Sequence, residues 1–152
     1  MTINSRAIEI LLVEDNPGDV NLTRIALADA PGETLRDRQI AVNLSVVADG
    51  VEAMNFLHKC AILPDLILLD WNLPRKDGRE VLMEIRADER LQRIPVIVLT
   101  TSQAEEDIIK AYNLHANCYI TKPVDFHQFV HIIQSIEEFW FTIVELPPEA
   151  RD

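Results

Sequence analysis

The chain has 152 residues, of which 14 are basic and 25 are acidic, so its formal charge is −11 at pH 7. This length suits one domain with a sizeable buried core. The negative charge repels phosphate backbones and anionic lipid headgroups, and we therefore expect no direct binding to nucleic acid or to a membrane.

The cysteines and the first residues bear on the compartment in which the protein works. Cys60 and Cys118 are too few for a disulfide framework and lack metal-ligand spacing. The apolar run before Glu14 is too short for a signal peptide or a membrane span. We expect a reduced, cytoplasmic protein.

Apolar runs typical of strands alternate along the chain with segments of helical periodicity. The predicted strands are residues 8–13, 42–46, 66–69, 96–99 and 118–121. The predicted helices are residues 20–28, a helix capped by Asp49, residues 79–88, a helix capped by Ser102, and a helix from Asp125 to about Val144.

Five strands alternating with five helices predict an α/β fold with a doubly wound parallel sheet, right-handed crossovers and helices on both faces. In open sheets of this kind, ligands bind at the carboxyl ends of the strands. Residues 1–146 are expected to form the domain, and residues 147–152 a short C-terminal tail.

Chemically active side chains follow four of the predicted strands. Glu14 and Asp15 follow the first strand, Asp70 the third, Thr100 the fourth and Lys122 the fifth. Each one alone is an ordinary loop residue, but parallel strands end at a common edge, where these side chains would share one crevice. Three carboxylates in a crevice repel one another unless a cation neutralises them.

The oxygen ligands at this edge favour Mg²⁺. We expect Asp15 and Asp70 to bind the ion directly, Glu14 to bind it through water, and the backbone carbonyl near Asn72 to supply a further oxygen.

Asp70 is the best candidate nucleophile, because it ends the central strand between the acids on one side and Thr100 and Lys122 on the other. A carboxylate nucleophile, a metal ion, an ammonium group and a hydroxyl are the groups needed for phosphoryl transfer to a protein side chain.

Four motifs, each at the end of a predicted strand, resemble those of a response-regulator receiver domain of two-component signalling. They are VED at residues 13–15, LILLDWNLPRKDG at 66–78, PVIVLTTS at 95–102 and YITKP at 119–123. The resemblance covers nearly the whole chain and implies a flavodoxin-like sheet with strand order 2-1-3-4-5.

The resemblance implies that Asp70 is the phosphoacceptor and takes a phosphoryl group from a phosphohistidine on a sensor histidine kinase. It implies Mg²⁺ held by Asp15, Asp70 and the Asn72 carbonyl, with Lys122 and Thr100 contacting the phosphoryl oxygens.

The resemblance also implies a switch. Thr100 would draw toward the phosphate and Tyr119 would rotate inward, which would remodel the face made by the last two predicted helices and the fifth strand. The peptide bond between Lys122 and Pro123 is expected to be cis.

Three features are similar to those of single-domain regulators that serve cyanobacterial phytochromes, which are bilin-bearing histidine kinases. They are the long connection at residues 29–40, the sequence LHANC at 114–118 and the final helix ending EEFWFTIVELPP. The expected kinase partner is therefore a phytochrome.

The output is expected to be a protein contact, because only a short tail follows the last predicted helix. That helix has more apolar residues than one core-facing stripe needs, which leaves Ile132, Phe139 and Ile143 over. These residues either pack under the long connection or form a symmetric homodimer, and we adopt the homodimer as the hypothesis.

Two other functions compete with the switch. An aspartate-nucleophile phosphohydrolase would carry a second acid two residues after its nucleophile, where this chain has Asn72. A dimerising pseudo-receiver would leave an intact site idle. We therefore expect a phosphoacceptor and not a turnover enzyme.

Overall fold

The protein is described here by a computed structural model that covers residues 8–28, 42–100, 118–121 and 125–138. The strands are β1 (Ile8–Val13), β2 (Val42–Val47), β3 (Leu66–Asp70), β4 (Val96–Thr100) and β5 (Cys118–Thr121). The helices in the described ranges are α1 (Pro17–Ala28), α2 (Gly50–Lys59), α3 (Gly78–Ala87) and α4 (Phe126–Glu138).

The strands form a parallel sheet in the order β2-β1-β3-β4-β5. The order 2-1-3-4 of the first four strands confirms the doubly wound α/β prediction, and β5 adds four residues beside β4. The helix predicted after Ser102 and the predicted end of the last helix near Val144 lie outside the described residues.

Strands β1, β3 and β4 are buried on both faces, as their continuous apolar runs predict, whereas β2 is half-buried. Alternate residues of a strand point to opposite faces, so Leu11 and Val13 pack against α2 and α3, whereas Ile10 and Leu12 pack against α1 and α4. Each fully buried aliphatic side chain contributes about 1.5–3 kcal/mol to folding. This packing makes the sheet a rigid support for the groups at its edges.

The strands β2, β3 and β4 each end one residue later than predicted, and the differences in β3 and β4 concern the site. β3 continues through Asp70 and β4 through Thr100. Asp70 lies beside Leu99 in the ladder, and the next amide, that of Trp71, donates to the Leu99 carbonyl at 3.0 Å. The backbone of Asp70 is therefore held by the sheet and not by a loop.

Carboxylates cap three of the helices. Asp49 accepts a hydrogen bond from the Glu52 amide at 2.9 Å, and Asp125 accepts one from the Gln128 amide at 3.0 Å, as predicted. α3 begins at Gly78, one residue earlier than predicted, because Asp77 and Glu80 form a reciprocal capping box. It ends at Ala87, where Asp88 is the C-cap.

Within the described ranges, none of the helices has the length and hydropathy needed to cross a lipid bilayer.

Candidate functional site

Three carboxylates converge at the carboxyl edge of the sheet. One oxygen from each of Glu14, Asp15 and Asp70 lies within 4.8 Å of the others. The parallel register causes this, because Val13 of β1 pairs with Leu69 of β3, so the residues that follow them emerge side by side. The predicted convergence of these three acids is what the structure shows.

The surroundings of the three acids differ. Glu14 is 3% exposed and Asp70 is 6% exposed, whereas Asp15 is open to solvent. Glu14 accepts a hydrogen bond from the Asn16 amide at 3.2 Å, and its own amide donates to the Val47 carbonyl at 3.0 Å. Glu14 is therefore tied to the ends of both β1 and β2.

Close, partly buried carboxylates disfavour one another's ionised form unless positive charge compensates them. The possible ligand atoms that converge here are all carboxylate oxygens, and hard divalent cations prefer oxygen ligands. The acidic cluster of Glu14, Asp15 and Asp70 therefore fits a divalent metal ion.

Asn72 links the end of β3 to the end of β4. Its amide nitrogen Nδ2 donates to Thr100 Oγ1 at 3.0 Å, and its backbone amide donates to Asp70 Oδ1 at 3.3 Å. Thr100 is completely buried at the end of β4. The structure thus places Thr100 and Asn72 beside Asp70, and it adds a hydrogen bond between their side chains that the sequence does not predict.

The loop between β3 and α3, residues 71–77, packs on the start of α2. Arg75 Nε lies 3.0 Å from Asp49 Oδ2, and Arg75 Nη2 donates to Asp49 Oδ1 at 3.3 Å. The pKa of the Asp49 carboxyl is lowered from 3.8, first by the hydrogen bond from the Glu52 amide and further by Arg75, while burial opposes the shift. This contact joins elements far apart in sequence, and no motif points to it.

The remaining predicted residues fall partly or wholly outside the described ranges. Tyr119 is in β5, with its backbone beside Val98, but its side chain is outside them. Lys122, Phe139 and Ile143 lie entirely outside, as does the bond predicted to be cis. Ile132 is half-buried on α4. The predicted roles of these residues stay predictions.

The sequence profile of the response regulator receiver domain matches residues 10–134. The chain belongs to this family. This receiver domain is 46% identical over 143 residues to the response regulator Rcp1 of Synechocystis sp., across 91% of this chain and 92% of Rcp1.

Two solved structures resemble the receiver domain over almost its full length. The phosphorylated cyanobacterial phytochrome response regulator RcpA superposes with a TM-score of 0.85 at 47% identity, over 94% of this chain and 100% of RcpA. The Mn²⁺-bound form of Rcp1 superposes with a TM-score of 0.82 at 44% identity, over 93% of this chain and 99% of that structure. The predicted resemblance to cyanobacterial phytochrome response regulators is confirmed.

Proposed function

We propose that this protein is a phosphorylation-activated response regulator whose Asp70 accepts a phosphoryl group from a sensor histidine kinase. The observation that supports this most directly is the convergence of Glu14 and Asp15 on Asp70 at the carboxyl edge of a receiver fold. A carboxylate held by strand backbone at such an edge has a defined position for attack on an incoming phosphorus.

The cation proposed for the acidic cluster is Mg²⁺. Asp15 and Asp70 would bind it directly, Glu14 would bind it through water, and the Asn72 carbonyl would supply a further oxygen. When bound, Mg²⁺ supplies positive charge close to the phosphoryl oxygens. The Mn²⁺-bound form of Rcp1 supports a divalent ion at this edge.

In the proposed transfer, a carboxylate oxygen of Asp70 bonds to the phosphorus of phosphohistidine as the phosphorus–nitrogen bond breaks. The electron pair of that bond stays with the ring nitrogen. The other ring nitrogen of the phosphohistidine carries a proton throughout, so the leaving group is neutral imidazole. Lys122 and Thr100 contact the phosphoryl oxygens and stabilise their charge. The product is an aspartyl phosphate on the chain.

The proposed switch begins at Thr100. Its hydroxyl is buried and hydrogen bonded to Asn72 in the present structure, and a phosphoryl group on Asp70 offers it a competing partner. If the Thr100 hydroxyl turned toward the phosphoryl group, Tyr119 would be favoured in an inward position. The interactions that form only in this conformer would increase its population.

The proposed domain comprises residues 1–146, with a fifth helix between β4 and β5, the strand order 2-1-3-4-5 and a tail at 147–152. The profile match at residues 10–134 supports most of this extent. The proposed output is contact with other proteins, including a homodimer through Ile132, Phe139 and Ile143.

The proposed partner is a bilin-binding phytochrome kinase in the cytoplasm, and the likeness to Rcp1 and RcpA supports this choice. The negative charge of the chain argues against a direct contact with nucleic acid or a membrane. We propose a phosphoacceptor that governs its own phosphorylation and dephosphorylation, not a turnover enzyme.

The test is transfer of radiolabelled phosphate from an autophosphorylated cyanobacterial phytochrome kinase. Label should move from the kinase to the wild-type chain in the presence of Mg²⁺, and it should stay on the kinase with Asp70→Asn. Asp65→Asn is the matched control, since it changes the acid at the other end of β3, and it should accept label. Transfer to Asp70→Asn would contradict the proposed acceptor, and no transfer to the wild type would contradict the proposed partner.

A further inference from the structure

The loop of residues 71–77 has an unusual anchor at Arg75. The φ angle of Arg75 is 65°, in the left-handed region that glycine and asparagine adopt most readily. Among the described residues it is the one non-glycine residue with a positive φ. A conformation of this kind persists where the surrounding contacts stabilise it.

The stabilising contact is the pair that Arg75 forms with Asp49. Two guanidinium nitrogens face the two oxygens of the carboxylate, at 3.0 and 3.3 Å, in a fork-to-fork arrangement. Asp49 is itself fixed, because it is buried and caps α2 through the Glu52 amide. Arg75 thus ties a strained loop position to a rigid helix start.

Two backbone contacts confine the same loop. A Cβ atom on Gly50 would lie 2.0 Å from the Lys76 carbonyl oxygen, and one on Gly78 would lie 2.7 Å from the Asp70 carbonyl oxygen. The loop therefore packs directly on the start of α2 at one point, and α3 begins directly against the end of β3. Asn72 lies within the segment that these contacts delimit.

We propose that Arg75 and Asp49 form a positioning pair that holds the β3–α3 loop, and with it Asn72, in the arrangement needed for cation binding at Asp70. The inference rests on the proposed function, because it uses the Asn72 carbonyl as a metal ligand. The same arrangement holds the Asn72 amide on Thr100. Arg75 is a positioning residue and touches none of the reacting atoms.

The direction in which Mg²⁺ affinity changes when Arg75 is replaced distinguishes a positioning role from a purely electrostatic effect of its charge. Removing a cation from the loop after Asp70 makes the local potential more negative, which by itself strengthens Mg²⁺ binding. Loss of loop positioning weakens Mg²⁺ binding. The two explanations therefore predict opposite changes in the dissociation constant.

The test compares variants of the full chain in Mg²⁺ titrations followed by tryptophan emission. Arg75→Asn removes the guanidinium and keeps a residue that accepts a positive φ, and we expect about fivefold weaker Mg²⁺ binding. Arg79→Gln removes an exposed cation from α3 and should leave the affinity unchanged or slightly higher. Arg75→Lys keeps the positive charge but lacks the two guanidinium nitrogens that face Asp49. Its Mg²⁺ affinity should lie between those of the wild type and Arg75→Asn.

Asp49→Asn keeps an acceptor for the helix cap and tests the other half of the pair. It should weaken Mg²⁺ binding, and the double variant with Arg75→Asn should be no weaker than the poorer single variant. Hydrogen exchange without Mg²⁺ provides the second readout. Amides of residues 71–77 should exchange faster in Arg75→Asn, while those of β3 stay as protected as in the wild type.

Unchanged or tighter Mg²⁺ binding by Arg75→Asn would overturn the positioning role, even if the loop exchanges faster. If the wild type binds Mg²⁺ and Asp70→Asn does not, such a result would leave the proposed function intact. Failure of the wild type to bind Mg²⁺ at all would overturn both.

Discussion

The two ends of β3 each have a buried aspartate, and the two residues have opposite surroundings. Asp65, just before the strand, is 8% exposed, and Asp70, at its end, is 6% exposed. Asp65 accepts a hydrogen bond from the Glu9 amide at 2.9 Å, and its own amide donates to the Glu9 carbonyl at 2.7 Å. Asp70 instead shares its edge of the sheet with two further carboxylates.

Burial alone therefore does not distinguish an acid with a structural role from the proposed phosphoacceptor. The buried Asp65 carboxylate accepts a hydrogen bond from a backbone amide in place of water. Because this contact joins the start of β3 to β1, the role of Asp65 is structural. At Asp70, like charges are placed together at a cost in folding free energy. A cluster that opposes folding is explained by a ligand that offsets the repulsion, and the following experiments test this contrast.

The largest effect is expected from Mg²⁺ itself. Free Mg²⁺ at about 100 times its dissociation constant should raise the free energy of unfolding by about 2.7 kcal/mol, because it binds the folded state alone. Thermal unfolding with and without Mg²⁺ measures this shift. Asp70→Asn should lose most of it and Asp65→Ala should keep it; an equal loss in both variants would remove the distinction between the two ends of β3.

Removing the Asp65 carboxylate, at the start of β3, should lower the stability of the fold instead. Asp65→Ala leaves the Glu9 amide without its acceptor, and we expect a loss of about 2 kcal/mol in the free energy of unfolding. Urea denaturation in the absence of Mg²⁺ provides the measurement. Phosphorylation of the folded variant should match the wild type, and a defect in phosphoryl acceptance with normal stability would contradict the structural role.

Neutralising Glu14 should change the free energy of unfolding by less than the loss of the Asp65 carboxylate does, and it should raise that free energy. Glu14→Gln keeps an acceptor for the Asn16 amide and removes one of three like charges, so we expect a gain of about 1 kcal/mol in the absence of Mg²⁺. The same variant should gain less from added Mg²⁺. A loss of stability without the metal would show that charge crowding is not the dominant effect at this edge.

The smallest expected effect concerns Asp49. Because its folded-state pKa lies below the ordinary value of 3.8, folding favours its ionised form, and this contribution to stability is present above that value and lost as the pH falls through the folded-state pKa. Wild type should be more stable than Asp49→Asn at neutral pH, and the difference should shrink below about pH 3.8. Urea midpoints measured between pH 7 and pH 3 test this, and a constant difference would refute it.

Much of the fold and the acidic cluster follows from the sequence, because both depend on patterns local to single elements. A buried apolar run that ends on Asp70 and another that ends on Glu14 suffice to place both acids at one edge, since parallel strands share their direction. The cap at Asp49 is equally local, because Glu52 follows it by three residues.

The remaining features depend on where a loop lies relative to distant elements. Arg75 makes its contact with Asp49 from a positive φ, which the residue type does not predict. Gly50 is needed for the close approach of the Lys76 carbonyl, and that carbonyl lies on another element. The hydrogen bond from Asn72 to Thr100 likewise depends on the direction of one side chain.

The most direct test of phosphoryl transfer to Asp70 is the intact mass of the protein after incubation with Mg²⁺ and acetyl phosphate. Wild type and Asp65→Asn should each gain one phosphoryl group when Mg²⁺ is present, and Asp70→Asn should gain none. An adduct that persists in Asp70→Asn, or that forms equally well without Mg²⁺, would contradict the account.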